Sequence, residues 1–159
     1  MSIPESMKEE LQAWNGGDGI DLETWLDSVG DYSLAVGYTE IFCPKFVEHK
    51  GYILAAEEPL HEEYLRNLKG FESREGATPK SVEWVMNHFH LSFIHLGSKD
   101  ISPDKLVFLG NALKETYEAR LSYFFPDKPC IVEFHIPDDL YDFEAYQITF
   151  WQAKHDQSA

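Results

Sequence analysis

Basic residues are scarce in this chain. Thirteen lysines and arginines stand against twenty-eight aspartates and glutamates, a formal charge of −15 over 159 residues. Such an excess repels phosphate backbones and anionic lipid, so neither nucleic acid nor a membrane is an expected partner, and a basic protein surface is. Long apolar runs are missing too. The N-terminus "MSIPESMKEELQAW" is acidic and polar where an export signal would be basic and then apolar. The only two cysteines, Cys43 and Cys130, lie far apart and form neither a CxxC nor a disulfide framework, which points to a reduced, cytoplasmic protein. No phosphate-cradling glycine motif, GxSxG elbow or dinucleotide fingerprint occurs, so no cofactor is expected. "NGGDGID" (15–21) lacks the alternating acids of a calcium loop and reads as a turn.

What the chain does have is enough apolar material for a core. Hydrophobic residues make up 43% and aromatics 14%, spread from Trp14 to Trp151. That predicts one domain over residues 1–159, with loose ends at 1–4 and 153–159. The negative charge is concentrated in the front: residues 1–63 carry 14 acidic and 3 basic side chains, residues 64–159 carry 14 and 10.

Periodicity predicts the elements. A short helix over 5–14 ends at "NGGDG". A second follows Asp21 as N-cap, with Leu22, Trp25, Leu26 and Val29 on its apolar face and Gly30 closing it. "YSLAVGYTEIFCP" is a third helix, stopped by Pro44. Residues 45–57 read as a β-hairpin turning at His49-Lys50-Gly51. "PLHEEYLRNLKGF" returns to helix, opened by Pro59 and stopped by Gly70, and residues 71–78 form a polar linker. Thr78 and Pro79 open a helix running to about residue 94. Ser102 and Pro103 open another, whose Leu106, Leu109, Leu113, Tyr117, Leu121 and Phe124 form the cleanest stripe in the chain. After Pro126 the period becomes two: Cys130, Val132, Phe134 and Ile136, then Tyr146, Ile148 and Phe150, mark two antiparallel strands. The sum is an α+β domain, five or six helices packed on a small antiparallel sheet of about four strands. Of the four tryptophans, Trp151 is the one expected at the surface.

Chemistry centres on "VMNHFHLSFIHL" (85–96), which holds three of the seven histidines. On a helix successive residues turn by about 100°, so His88, His90 and His95 diverge and cannot jointly hold a metal. The helix instead aligns Glu83, Asn87 and His90, at steps of four and three. Either this polar row bridges neighbouring backbone, or it lines a pocket in which His90 works as base or ligand with Glu83 orienting it. Read as a strand, the same segment puts His88, His90 and Ser92 on one face and makes a His-x-His pair possible. Glu133 and His135 share a strand face and complete the set of candidate binding residues.

"MNHFH" (86–90), "ALKETYEARLSYFFPDKPCIVEFHIP" and "YQITFWQ" (146–152) resemble a group of small bacterial proteins of undefined function. The resemblance covers roughly residues 80–152 and implies no active site. Size and acidity are similar to those of immunity proteins of bacterial toxin systems. Two functions are therefore open. The first is a non-enzymatic protein that steers a basic partner onto its acidic half and anchors it through Trp25, Tyr32 or Tyr38. The alternative is a small metal-dependent hydrolase with His88, His90 and His135 as ligands and Glu83 or Glu133 as base.

Overall fold

The computed structural model describes residues 2–156, and its architecture is α+β. Six α-helices and five strands follow in the order α1 (Glu5–Gln12), α2 (Leu22–Val29), α3 (Tyr32–Phe42), β1 (Phe46–His49), β2 (Tyr52–Ala55), α4 (Glu62–Glu72), α5 (Pro79–Met86), β3 (Phe89–His90), α6 (Pro103–Phe124), β4 (Cys130–His135) and β5 (Gln147–Gln152). The strands form two antiparallel sheets, β1-β2 and β3-β5-β4, where one sheet was expected. Ala153–His155 make a 3-10 turn, and the loose ends expected at Met1 and 157–159 lie outside the described residues.

Local signals place most of these elements. The Asp21 carboxylate accepts from Thr24 N–H (2.7 Å) and caps α2. Thr78 and Ser81 form a reciprocal capping box at α5, followed by Pro79 at the first turn. The hairpin closes with Lys50 and Gly51, both at positive φ, the backbone that a two-residue turn between twisted strands requires.

Three boundaries depart from expectation. Helix α4 begins at Glu62, beyond Pro59, and runs through Gly70 to Glu72. The extra turn places Phe71 against the cluster of Leu54, Leu68 and Val82, and that burial outweighs the roughly 1 kcal/mol cost of a helical glycine. Helix α5 stops at Met86 instead of continuing to residue 94. Residues 89 and 90 pair with Ile148 and Gln147 of β5, Leu91 N–H reaches Tyr146 O (2.9 Å), and Leu91–His95 form a 3-10 turn. Pairing to the sheet thus overrides helical periodicity. Trp151, expected at the surface, is 4% exposed. Strand β5 is central, with β3 and β4 on its two edges and helices on both faces, so its outward-alternating residues are covered as well. Lys80 of α5 lies 4.4 Å from the Trp151 ring centroid.

The larger core joins α6 to the three-stranded sheet through Leu106, Leu113, Tyr117, Leu121, Val132, Ile148 and Phe150. At Gly110 of α6 the two come close enough that an added Cβ would lie within 2.1 Å of the Phe134 ring. Near its N-terminus, α6 holds α1. Asp104 accepts from Ser102 Oγ (2.6 Å), Ser6 N–H (2.8 Å) and Ser6 Oγ (3.0 Å). These bonds, the Ser102 hydroxyl foremost, hold its carboxyl far below the usual carboxylate range.

Two measurements check this packing. Gly110→Ala should destabilise the protein in urea unfolding by about 1–3 kcal/mol, although alanine is the better helix former, because the Phe134 ring must move. A stabilised variant would show that α6 and β4 are not in contact there. Asp104→Asn should lower stability at neutral pH. Because the folded carboxyl titrates below its unfolded value, the deficit should hold above about pH 4 and shrink as pH falls further. A deficit unchanged down to the acid-unfolding region would show that the carboxylate charge plays no part.

Candidate functional site

Glu83 on α5 and Asn87, the residue that caps it, are the first two members of the predicted polar row and face the seam between the two sheets. Glu83 is fully buried. Its Oε1 accepts from Ile53 N–H (2.8 Å) and Gln152 Nε2 (2.5 Å), and its Oε2 accepts from Gln152 N–H (2.7 Å). Asn87 Oδ1 accepts from Ala55 N–H (2.9 Å), while Nδ2 donates to Ile53 O (2.9 Å) and Phe150 O (3.1 Å). Both side chains therefore bond to the backbone of β2 on one side and β5 on the other. They replace the ladder that the two sheets do not form directly, and little of their bonding capacity is left for a ligand.

His90 leaves this row because α5 has ended. It sits on β3 level with Gln147 of β5, which is in turn level with His135 of β4, while Glu133 pairs with Thr149. Its Nδ1 bonds Glu144 O (2.7 Å), and His88 Nδ1 bonds Val85 O (2.8 Å) with its ring stacked on Trp84. A carbonyl partner fixes the proton on Nδ1 in each. The extended backbone brings the His88 and His90 rings to 5.0 Å between centroids, as the strand reading anticipated. His95 is elsewhere, bonded through Nε2 to Tyr38 Oη (2.5 Å). Glu133 and His135 are exposed on β4. Among the described residues, no group of three or more His, Cys, Asp or Glu side chains is placed to hold a metal ion. Cys130 offers no nucleophile, since burial, with the nearby Glu83 charge adding to it, pushes its thiol up to about 12.

Comparisons with protein-family models, curated proteins and solved structures found no match to this chain.

Exposed apolar side chains occur on α2 and α3, and neither helix contributes a buried residue. Of the α2 stripe, Leu22 and Trp25 line a shallow pocket with Met7, Phe108 and Leu109, whereas Leu26 (58% exposed) and Val29 (45%) face solvent. Tyr32 (94%) and Val36 (69%) are exposed on α3. The expected single apolar face thus turns inward at one end only. Of the three proposed anchors, Tyr32 alone is free, since Trp25 is half-buried and Tyr38 is bonded to His95. From residue 9 to residue 44 the chain has eight acidic side chains and no lysine or arginine. Helical periodicity had flagged the α2 stripe, but nothing in it marks which apolar side chains lack a cover within the chain.

Truncating the clamp separates structure from function. Glu83→Ala and Asn87→Ala should each cost at least about 1–3 kcal/mol of unfolding free energy, because each leaves buried backbone groups of β2 and β5 unpaired. A stability equal to that of the unaltered protein would mark these side chains as a ligand site instead.

Proposed function

We propose that this is a non-enzymatic bacterial binding protein of the reduced cytoplasm, immunity-like or regulatory, that takes a basic protein partner on α2 and α3. The observation that carries the reading is the exposed apolar surface of Leu26, Val29, Tyr32 and Val36 within a stretch free of basic residues. Exposed apolar side chains become an interaction site where they join into one patch, and these four fall within eleven residues of sequence. The surrounding carboxylates steer a cationic partner into encounter, and burial of Tyr32 and the aliphatic side chains holds it. The partner's complementary surface is an apolar strip flanked by lysine or arginine.

The hydrolase reading draws less support. Glu83 is occupied by backbone donors, and Glu133 lies exposed on a different strand from His88 and His90.

Capture from the source cells with the intact protein, followed by kinetics on the purified complex, tests the reading. The association rate constant should fall at least about tenfold between low and high salt, since screening acts over about 10 Å at 0.1 M. Leu26→Glu combined with Val36→Glu should weaken binding by at least about tenfold while changing unfolding free energy by less than about 0.5 kcal/mol, as surface substitutions do. A partner that binds the double variant with unchanged affinity, or an on-rate indifferent to salt, would place recognition elsewhere.

A further inference from the structure

Tyr117 of α6 packs its ring edge-on against Phe46 and Phe150, and the whole residue is 4% exposed. Its hydroxyl makes no hydrogen bond to any described residue, yet it is not among the sealed unpaired polar atoms, which include Tyr64 Oη and Ser92 Oγ. The small part of Tyr117 that reaches open space therefore includes the hydroxyl. Burial keeps it protonated, with its pKa pushed up to about 12. The space it meets is a cleft of about 260 Å³ between the C-terminal end of α3, residues 55–57 after the hairpin, and residues 86–89, where α5 gives way to β3.

This cleft is polar, and its open groups are mostly acceptors. His88 lines it, and because His88 Nδ1 donates to Val85 O, its Nε2 is a bare lone pair. That nitrogen too has no partner among the described residues and is not sealed off. At the rim Lys45 is paired with Glu57. That bond raises the Lys45 ammonium above the ordinary lysine value, and the Glu40 charge adds to the effect, so both carboxylates act on one rim. Glu40 has no ion-pair partner of its own among the described residues. Arg120 is tied through Nε to Pro44 O and is not part of the lining.

We infer that this cleft binds a primary alkylammonium group, on a free amine or at the end of a lysine side chain, with its N–H donors shared among His88 Nε2, Tyr117 Oη and the Glu40 carboxylate. An ammonium brings three donors and no acceptor, which suits a lining whose open groups accept. A carboxylate would face Glu40 and the imidazole lone pair, and the lysine that could meet it is already paired. A neutral alcohol could make the hydrogen bonds but gains nothing from the unmatched charge. Glu40 follows Val36 by one turn of α3, so the rim adjoins the surface proposed above for a basic partner. A lysine from that partner rests on that reading, whereas a free amine does not.

The probe is n-butylammonium, with butyrate and 1-butanol as controls, titrated into the full chain while NMR follows the Met86, Ala55 and Ala56 methyls and the His88 ring. Saturable shifts of these groups are expected with the amine, and binding at least about fivefold weaker for both controls. Tyr117→Phe keeps the ring in its place and should weaken the amine by about three- to tenfold, as loss of one hydrogen bond does. Glu40→Gln, a change at the rim, should weaken it by about two- to fivefold, and less at high salt. The amide spectrum checks that both variants are folded. Nα-acetyl-lysine N-methylamide separates the two sources: binding as tight as that of n-butylammonium admits a lysine side chain, and exclusion of this derivative alone restricts the cleft to free amines. Shifts that never saturate, butyrate binding as well as the amine, or unchanged affinity in both variants would overturn the assignment. So would shifts confined to other acidic surface with Met86 and His88 unmoved. The free protein is titrated without a partner, so failure here leaves the partner reading standing, and failure of that reading leaves the cleft its amine.

Discussion

Two side chains at the C-terminal end of α5, Glu83 within it and Asn87 capping it, hold this molecule together where its backbone does not. β2 and β5 belong to different sheets, and no ladder joins them. Glu83 and Asn87 take up Ile53, Ala55, Phe150 and Gln152 along the seam, so the hairpin, the three-stranded sheet and α5 are fixed to one another by one set of bonds. A carboxylate at this depth is tolerable because three N–H donors face it. With the seam closed, β5 can be covered on both faces, by α6 over Ile148 and Phe150 and by α5 over Thr149, whose hydroxyl bonds Trp84 O.

The clamp also explains why chemistry is sparse. The residues that looked most like a reactive row are spent on architecture, and the histidines beyond them are spread over β3, β4 and the turn that follows β3. His88 and His90 do come side by side, yet each is held by a backbone carbonyl and an aromatic neighbour, His88 by Trp84 and His90 by Phe93. What the fold leaves exposed includes the apolar side chains of α2 and α3.

Much of the architecture was legible in the sequence because its determinants are local. Asp21, the Thr78-Pro79 pair and the Lys50-Gly51 turn act within a few residues of themselves, and the stripe of α6 packs on the core from Leu106 to Leu121, while Phe124, expected to join it, is exposed at the end of the helix. The end of α5 was not legible, because it is decided by β5, some sixty residues later in the chain. Trp151 was misplaced for a related reason: alternation tells which side of a strand a residue occupies, whereas the helix covering that side comes from elsewhere. The step of four from Glu83 to Asn87 was readable as a polar row. Whether backbone or a ligand would meet it depended on two strands that this spacing does not encode. The α2 stripe shows the same limit, since an amphipathic pattern predicts a cover without saying that the cover belongs to the same chain.

Among the described residues, α2 and α3 carry six exposed large apolar side chains and give no fully buried side chain to the core. Packing therefore restrains their outward residues very little. Substitutions at Leu26, Val29, Tyr32 or Val36 can redraw this surface while α6, the clamp and the sheets keep their geometry. A protein built this way separates what must stay constant from what can vary, and single-residue changes on these two helices can accumulate without unfolding the rest.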